Sequence, residues 1–495
     1  MQALRTTTET KGLPMVTSER RKWLALALLS VVQFMVVLDI AIVNVALPSI
    51  KDDLGFSQEN LQWVISAYAL VFGGFLLLGG RAADLIGRRR IFLIGIAVFT
   101  AASLLAGLAW SEGSLIGARS LQGLGAAIIS PAALSILSTT FTEGRERNIA
   151  LGVWGAVGGF GAAAGVLLGG VLTDALSWEW IFFVNVPVGV TGFLLAPVLL
   201  SESRDARVRS FDVPGAVLVT AGLSSLVYAI TQAGQDGWVA GKTVTFFAVA
   251  VALLAGFFGW ERRHPEPLMR FGLLRTKTVT GANVAGFILG TAMFSMFLML
   301  TLYMQQVLGY SAMKTGVAYL AVAGTAILWS AVAAQLVTRL GVKPVLVAGM
   351  AALTAGLIFF TQVSVNGTYA GDLLPGFLLV GFGIGFAFVP ISIAALAGVK
   401  PAEAGLASGL INTSQQIGGA LGIAALSTIA TSRTGDRVAA GVALPHALVD
   451  GFTLAFLAGV GIAAVGVIAA LTLIRRDELE SAPSAEGEPA LDLAA

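Results

Sequence analysis

The chain has no cysteine among its 495 residues, which excludes disulfides, thiolate metal sites and cysteine nucleophiles. Its two histidines, His264 and His446, fall in or near expected loops, and no cluster with metal-ligand spacing accompanies them. Charge is scarce as well: Asp, Glu, Lys and Arg make up 12% of the chain, with 30 basic against 28 acidic residues. No basic block is present, which argues against nucleic acid as a partner. No phosphate loop of the GxxxxGK[ST] type occurs, so an energy source other than nucleotide hydrolysis is expected.

What the chain does have is apolar surface. Hydrophobic residues make up 56% of it and the mean hydropathy is +0.86, which leaves too few polar groups to clothe a water-soluble globule. A bilayer-spanning helix takes about 20 mainly apolar residues, and fourteen such runs follow one another. The first, residues 23–47, starts after Arg20, Arg21 and Lys22; it is too long for a signal peptide and lacks a small-residue cleavage pattern. The runs group as six, two and six. This predicts a cytoplasmic segment over 1–22, a six-helix bundle over 23–200, linkers and an inserted helix pair over 201–277, and a second six-helix bundle over 278–474. The tail, 475–495, is acidic and rich in small residues and is expected to be disordered.

Retained positive charge marks the cytoplasmic side of a membrane protein. Counted over alternate loops, twenty-four Lys and Arg fall on one side and five on the other (Lys51, Lys242, Lys314, Arg433 and Arg437), with Arg119 left inside a spanner. The asymmetry predicts that both termini are cytoplasmic, as fourteen spans require.

Two charges stand within apolar runs. Asp39 lies deep in the first spanner and Arg119 in the fourth. A charge at mid-membrane costs about 2.5–3.5 kcal/mol on insertion scales and marks a functional group by default. The plainer alternatives are a packing hydrogen bond from Asp39 to Asn44 or a neighbouring helix, and snorkelling of Arg119 to the outer interface. At about 1.5 Å per residue, both groups fall in the same half of the bilayer, which makes a pair plausible.

The loop after the second spanner carries Gly80, Asp84, Gly87, Arg88, Arg89 and Arg90, with Leu85 between them. The fourth spanner reads Gly117-Ala-Arg119-Ser-Leu-Gln122-Gly123-Leu-Gly125. The fifth places Gly152, Gly161, Gly165, Gly169 and Gly170 along one run, with Val166 among them. Taken alone, the loop is explained as an ordinary positive-inside loop, and any single GxxxG of the fifth spanner by close helix packing. With them go Leu38 to Pro48, the string Leu61-Gln62-Trp63-Val64 with Tyr68, the string Trp178-Glu179-Trp180 leading to Asn185 and Pro187, the Gln305-Gln306 pair and the segment Gly405 to Gly419, in a resemblance that covers residues 20–475. The set resembles the fourteen-spanner drug:proton antiporter family of the major facilitator superfamily. Leu85 replaces a usual basic residue, Val166 a usual proline, and Glu179 an arginine often found there.

The resemblance implies an all-α polytopic membrane protein of the major facilitator fold, in the plasma membrane, of a bacterium. It implies a proton-coupled exporter of small amphipathic drugs or antibiotics, not an enzyme, acting as a monomer in the lipid bilayer and needing no cofactor beyond the proton gradient. Asp39 and Arg119 would couple to protons, paired in one access state and separated in the other. The glycine and arginine motifs would serve as gates. Phe34, Asn44, Gln122, Trp154, Met293, Phe297 and Gln416 are expected to line the substrate cavity, as soft and amide side chains do at adaptable surfaces. Two other functions fit the same residues: a dedicated exporter of one endogenous metabolite or self-made antibiotic, and a membrane sensor that kept the fold without turnover.

Overall fold

A computed structural model describes residues 18–141, 145–204, 212–265, 267–269, 271–399, 403–475 and 478–479. Most of the expected N-terminal segment, part of the first linker and most of the expected disordered tail lie outside these residues. So do several of the basic residues counted above, among them Arg5, Lys11, Arg207, Arg209, Arg270, Lys400 and Arg476.

Fourteen long helices make up the described chain. The first half contains α1 (Ser18–Leu54), α2 (Trp63–Ile86), α3 (Arg88–Gly107), α4 (Glu112–Thr140) and α5 (Arg145–Ala175). Its α6 (Trp180–Leu199) is a short turn, Trp180–Phe183, running on into Asn185–Leu199. The inserted pair is α7 (Val213–Asp236) and α8 (Gly241–Glu261). The second half holds α9 (Lys277–Leu302), α10 (Ala312–Leu340), α11 (Val342–Phe360), α12 (Leu374–Ala394), α13 (Ala404–Ala439) and α14 (Leu444–Leu473), with π-helical turns at Tyr303–Val307 and Tyr369–Leu373.

Thirteen of the fourteen are long and apolar enough to cross a membrane on hydropathy. The exception is α13, whose central stretch Asn412 to Gln416 is a run of Asn, Thr, Ser and Gln. It lies among other helices, against α9 and α14 on one side and α2 and α7 on the other. The polar residues are thus offered to protein partners rather than to lipid, the setting in which interhelical hydrogen bonds are formed. Thr413 donates to the Gly73 carbonyl at 3.0 Å and Ser414 to Asn283 at 2.9 Å.

The halves repeat one packing scheme. In the first, α1 packs on α5, α2 on α4, and α3 on α4 and α6; in the second, α9 packs on α13, α10 on α12, and α11 on α12 and α14. Two main contacts join the halves, α5 with α10 and α2 with α13, and the repeat exchanges them as well; α1 adds smaller contacts with α9 and α10. The inserted pair leans on the seam: Gln62, just before α2, donates to Thr231 of α7 at 2.7 Å, and Thr428 of α13 to the Ile230 carbonyl at 3.3 Å. Both turns that lead into the third helix of a half pass through a glycine with positive φ, Gly87 (+131°) and Gly341 (+85°), a conformation costly to any other residue.

With an even number of helices the chain starts and ends at the same face, here termed the terminal end, and the opposite face is the far end. The halves are sealed at the far end. Gln305 donates to the Val45 carbonyl at 2.8 Å, and the Asp174 carboxylate at the end of α5 accepts from the first two N–H groups of α10, Ala312 at 3.2 Å and Met313 at 2.9 Å. A helix N-terminus is a natural seat for a carboxylate, so this contact fastens one half to the other. Backbones touch there: a Cβ added to Gly316 would lie 2.3 Å from the Val166 oxygen. Toward the terminal end a Cβ at Gly159 would still meet Ile327 of α10 at 3.0 Å, whereas one at Gly155 or Gly152 would meet nothing within 4 Å.

Candidate functional site

Asp39 sits in the middle of the 37-residue α1 and is fully buried, at 0% exposure; Arg119 in α4 is at 1%. Arg119 therefore does not snorkel. Its Nη1 donates to Asp39 Oδ2 at 2.6 Å and to Gln122 Oε1 at 2.8 Å, and its Nε donates to the Val64 carbonyl of α2 at 2.9 Å. The second carboxylate oxygen, Oδ1, accepts from Gln122 Nε2 at 3.0 Å and from Asn185 Nδ2 of α6 at 2.8 Å. Gln122 Nε2 also reaches Ser103 of α3 at 2.8 Å. Arg119 and Gln122 stand three residues apart on one helix face, so α4 presents the cation and its amide support together.

Aromatic faces close the guanidinium in, with Tyr68 4.4 Å and Phe182 5.7 Å from it. An arginine over an aromatic face gains about 0.5–2 kcal/mol, more as it is desolvated. Five of the six helices in the first half thus converge on one ion pair. Desolvating two charges costs several kcal/mol per ion, which an ion pair repays only with good geometry and satisfied lone pairs. Here the carboxylate takes three donors, so the charged form is fully supported within this half.

Of the residues expected to line the cavity, Gln122 instead belongs wholly to the ion-pair network. Asn44 does not meet Asp39: its amide donates within α1 to the carbonyls of Ile40 and Ala41, at 3.1 and 3.3 Å. Phe34 lies at the seam of α1 and α5, its ring 5.8 Å from that of Phe160. Trp154 is half-buried beside the first-half core and Met293 beside that of the second half. Phe297 packs on Tyr319 at 4.8 Å. Gln416 stands at the α2–α13 contact, where a Cβ on Gly73 would lie 3.0 Å from its own Cβ, and its Oε1 is buried with no hydrogen-bond donor.

The glycines of α5 divide by what they touch. Added Cβ atoms at Gly161, Gly165 and Gly169 would run into Val37, Ala41 and Ile42 of α1 at 3.1, 2.7 and 2.6 Å, and one at Gly170 into Met313 of α10 at 2.6 Å. The stripe therefore places α5 against the helix that carries Asp39 and against the facing half. Asp84 pairs within its own half, with Arg88 at 2.8 Å and with Ser135 at 3.4 Å. Arg89 donates to the Leu200 carbonyl at 3.2 Å. Gly80 is in ordinary contact with Pro131.

A fourteen-helix chain with an internal repeat, an interior ion pair and glycine-faced seams is compared most directly with other transporters. The profile of the Major Facilitator Superfamily matches residues 29–423. The chain belongs to this superfamily of membrane transporters. Among its relatives, the puromycin resistance protein pur8 of Streptomyces alboniger is 41% identical over 479 residues, 95% of each chain. The cephamycin export protein CmcT of Amycolatopsis lactamdurans is 40% identical over 415 residues, 83% of this chain and 85% of the relative. The fold is shared with solved transporters such as tetrameric PepTSo2, with a TM-score of 0.63 at 18% identity over 91% of this chain and 97% of the other. As a multi-span member with bacterial relatives, the chain is a plasma-membrane protein.

Within this superfamily member, sequence reasoning found both charges but missed the residues that complete their shell. Asn185 stands in the sequence only as part of a longer string, although a lone amide inside an apolar spanner is the signal that singles it out. Ser103 carries no such signal, because serines are common in spanners and only the fold shows which one meets Gln122. Asp174 was equally silent, as an acid at an expected helix end.

Proposed function

We propose that this chain is a proton-coupled antiporter that exports small amphipathic compounds, drugs or antibiotics among them, by alternating access. It moves them without chemical conversion and draws on the proton gradient alone, with no cofactor. The observation that carries the reading is the fully satisfied Asp39–Arg119 pair, held in one half while the halves are sealed at the far end. In this arrangement the carboxylate is held by its three donors and shut away from the far side. Opening the far end requires α5 and α10 to part at Asp174 and Gly316, and α5 packs through its glycine stripe on α1. Movement of α5 therefore bears on the helix that holds Asp39. We assign the far end to the outside, in line with the count of basic residues. Separating Asp39 from Arg119 in the far-open state lets the carboxylate take a proton from outside, and restoring the pair expels it inward. One elementary charge moved across the membrane is worth about 2.3 kcal/mol per 100 mV, enough to drive useful accumulation.

The test is uptake into inside-out vesicles under an imposed proton gradient. Wild-type vesicles accumulate substrate, whereas Asp39→Asn vesicles do not, although the variant inserts and is recovered in equal amount. Accumulation by Asp39→Asn equal to wild type sinks the mechanism.

The names of the two relatives, each for a single antibiotic, favour a second reading in which one compound is the dedicated cargo. Competition across a panel of unrelated amphipathic antibiotics separates the two. A broad exporter is inhibited by many members of the panel, and a dedicated one by a single structural class.

A further inference from the structure

The internal repeat places equivalent helix starts at Gly87–Arg88 in the first half and Gly341–Val342 in the second, each beside the end of the sixth helix of its half. In the first half this corner is neutralised from within. The carboxylate of Glu202, just past α6, accepts from the backbone N–H groups of Arg89 and Arg90 at 3.1 and 3.2 Å and pairs with both side chains at 3.9 and 3.7 Å. The corner is thus built around one anionic group.

The second half repeats the corner with different chemistry. Lys343 stands in the first turn of α11, and Arg475 follows the end of α14. Lys343 has no ion-pair or hydrogen-bond partner among the described residues. Glu478, an acid beyond α14, accepts from Thr278 N at 2.7 Å at the start of α9, and its charge acts on Arg475 beside it. Between α11 and α14 runs an open groove of about 920 Å³, with Lys343 and Arg475 at its mouth and an apolar wall that includes Val347, Ala348, Ala351 and Leu471. Ala348 and Ala351 share one face of α11 with Val347, and their small side chains make the trough. Lys343 thus stands at this corner without an acid of its own, next to Arg475 and above an apolar channel, where the paired half supplies a carboxylate to both of its arginines.

We propose that this groove binds one anionic phospholipid of the leaflet at the terminal end, its phosphate between Lys343 and Arg475 and an acyl chain along Ala348 and Ala351. Charge complementarity selects the headgroup, since a zwitterionic lipid brings its own cation into the same corner. The apolar wall distinguishes a lipid from a free anion, which gains nothing from it. The bound phosphate takes the part that Glu202 plays in the first half, tying the start of α11 to the end of α14. This inference is independent of what the protein transports.

The experiment is native mass spectrometry of the full chain titrated with phosphatidylglycerol, phosphatidylcholine of the same acyl chains, and inorganic phosphate. Wild-type protein retains phosphatidylglycerol in preference to both of the others. A basic residue near an anionic membrane surface contributes about 1 kcal/mol, so K343Q/R475Q binds phosphatidylglycerol about thirtyfold more weakly. R339Q, which removes a charge outside the groove, leaves the preference intact. A351L keeps both cations but fills the trough, and it also loses the preference. Equal retention of the two lipids, an unchanged preference in K343Q/R475Q or in A351L, or inorganic phosphate competing as well as the lipid would each overturn the assignment.

Discussion

Asp39 and Arg119 invite a double-mutant cycle, because the structure fixes what each substitution leaves behind. Asp39→Asn leaves a buried guanidinium facing only the neutral acceptors of Val64 and Gln122. Arg119→Gln leaves a buried carboxylate held by the Gln122 and Asn185 amides alone. Removing one member of a buried pair costs about 3–5 kcal/mol, because an uncompensated charge stays in a low-dielectric site. The double variant D39N/R119Q carries no buried charge, and its cost is that of a few neutral hydrogen bonds at about 1 kcal/mol each. The coupling energy is therefore several kcal/mol and of rescuing sign, whereas independent sites add to within about 0.5 kcal/mol. Thermal unfolding of the purified protein, followed by intrinsic tryptophan fluorescence, reads the stability arm. The two single variants melt well below wild type and the double variant lies closer to it than either. Proton-driven vesicle uptake reads the functional arm, and here the double variant is as inactive as Asp39→Asn. A double variant that melts at the sum of the two single losses refutes the pairing as the source of the cost. Restored uptake in the double variant refutes the carboxylate as the proton carrier.

The far-end contact gives a second expectation. Asp174→Ala removes two hydrogen bonds to a charged group, each worth about 1.5–3 kcal/mol, so spin labels at Asp52 and Met313, both exposed, move apart in D174A by electron–electron resonance; an unaltered distance distribution counts against Asp174 as a latch. Glycines on the two sides of the seam should respond differently: Gly316→Ala puts a methyl 2.3 Å from the Val166 oxygen and abolishes most transport, while Gly152→Ala meets nothing within 4 Å and transports like wild type. Equal rates for the two would remove steric closure at Gly316 from the mechanism. Because the chain has no native cysteine, single cysteines at Arg433 and Arg339 report sidedness directly. An impermeant thiol reagent applied to intact cells labels the first and not the second, and the reverse pattern inverts the orientation.

Much of the architecture was readable from apolar run length alone, because lipid forces every backbone polar group to be satisfied within a helix. The run read for α1, residues 23–47, falls inside the helix that forms, Ser18–Leu54, since the helix continues past the apolar stretch through Lys51 and Asp52. For α13 the run read from 404 corresponds to a helix that hydropathy alone would pass over. Its glycines and amides make sense only once α2, α9 and α14 surround it. Among site residues, the legible ones were those whose mere presence in an apolar run is costly, Asp39 and Arg119. The partners that remove that cost, Gln122, Asn185 and Ser103, come from three different helices, and a linear sequence does not show which polar residues converge. That is also why Gln122 was expected in the cavity and lies in the ion-pair shell instead.

The distribution of charge between the halves narrows where coupling can occur. The repeat pairs α1 with α9 and α4 with α12, yet α9 carries only Lys277, at its first position, and α12 carries no charged residue at all. The interior of the second half is instead aromatic, with Tyr319, Phe360 and Phe377 packed ring to ring at 5.4 and 5.6 Å. Two halves related by symmetry in packing are therefore unlike in chemistry: one holds a buried ion pair and the other is neutral. Among the described residues of the two halves, Asp39 is the buried carboxylate on which a proton can settle, and it moves with α1 and α4; the other buried acids, Asp212 and Glu261, belong to the inserted pair. Coupling then needs no charge transfer between the halves. It needs only that the parting of α5 from α10 at the far end disturb α1, and the Gly161, Gly165 and Gly169 contacts supply the mechanical link. Enlarging that stripe should uncouple transport from the gradient while keeping both charged side chains, Asp39 and Arg119, in the chain. Gly165→Ala, whose methyl would fall 2.7 Å from the Ala41 side chain, is expected to retain counterflow of substrate down its own gradient and to lose accumulation driven by protons. Loss of both activities together, with the fold intact, would place Gly165 in general closure rather than in coupling.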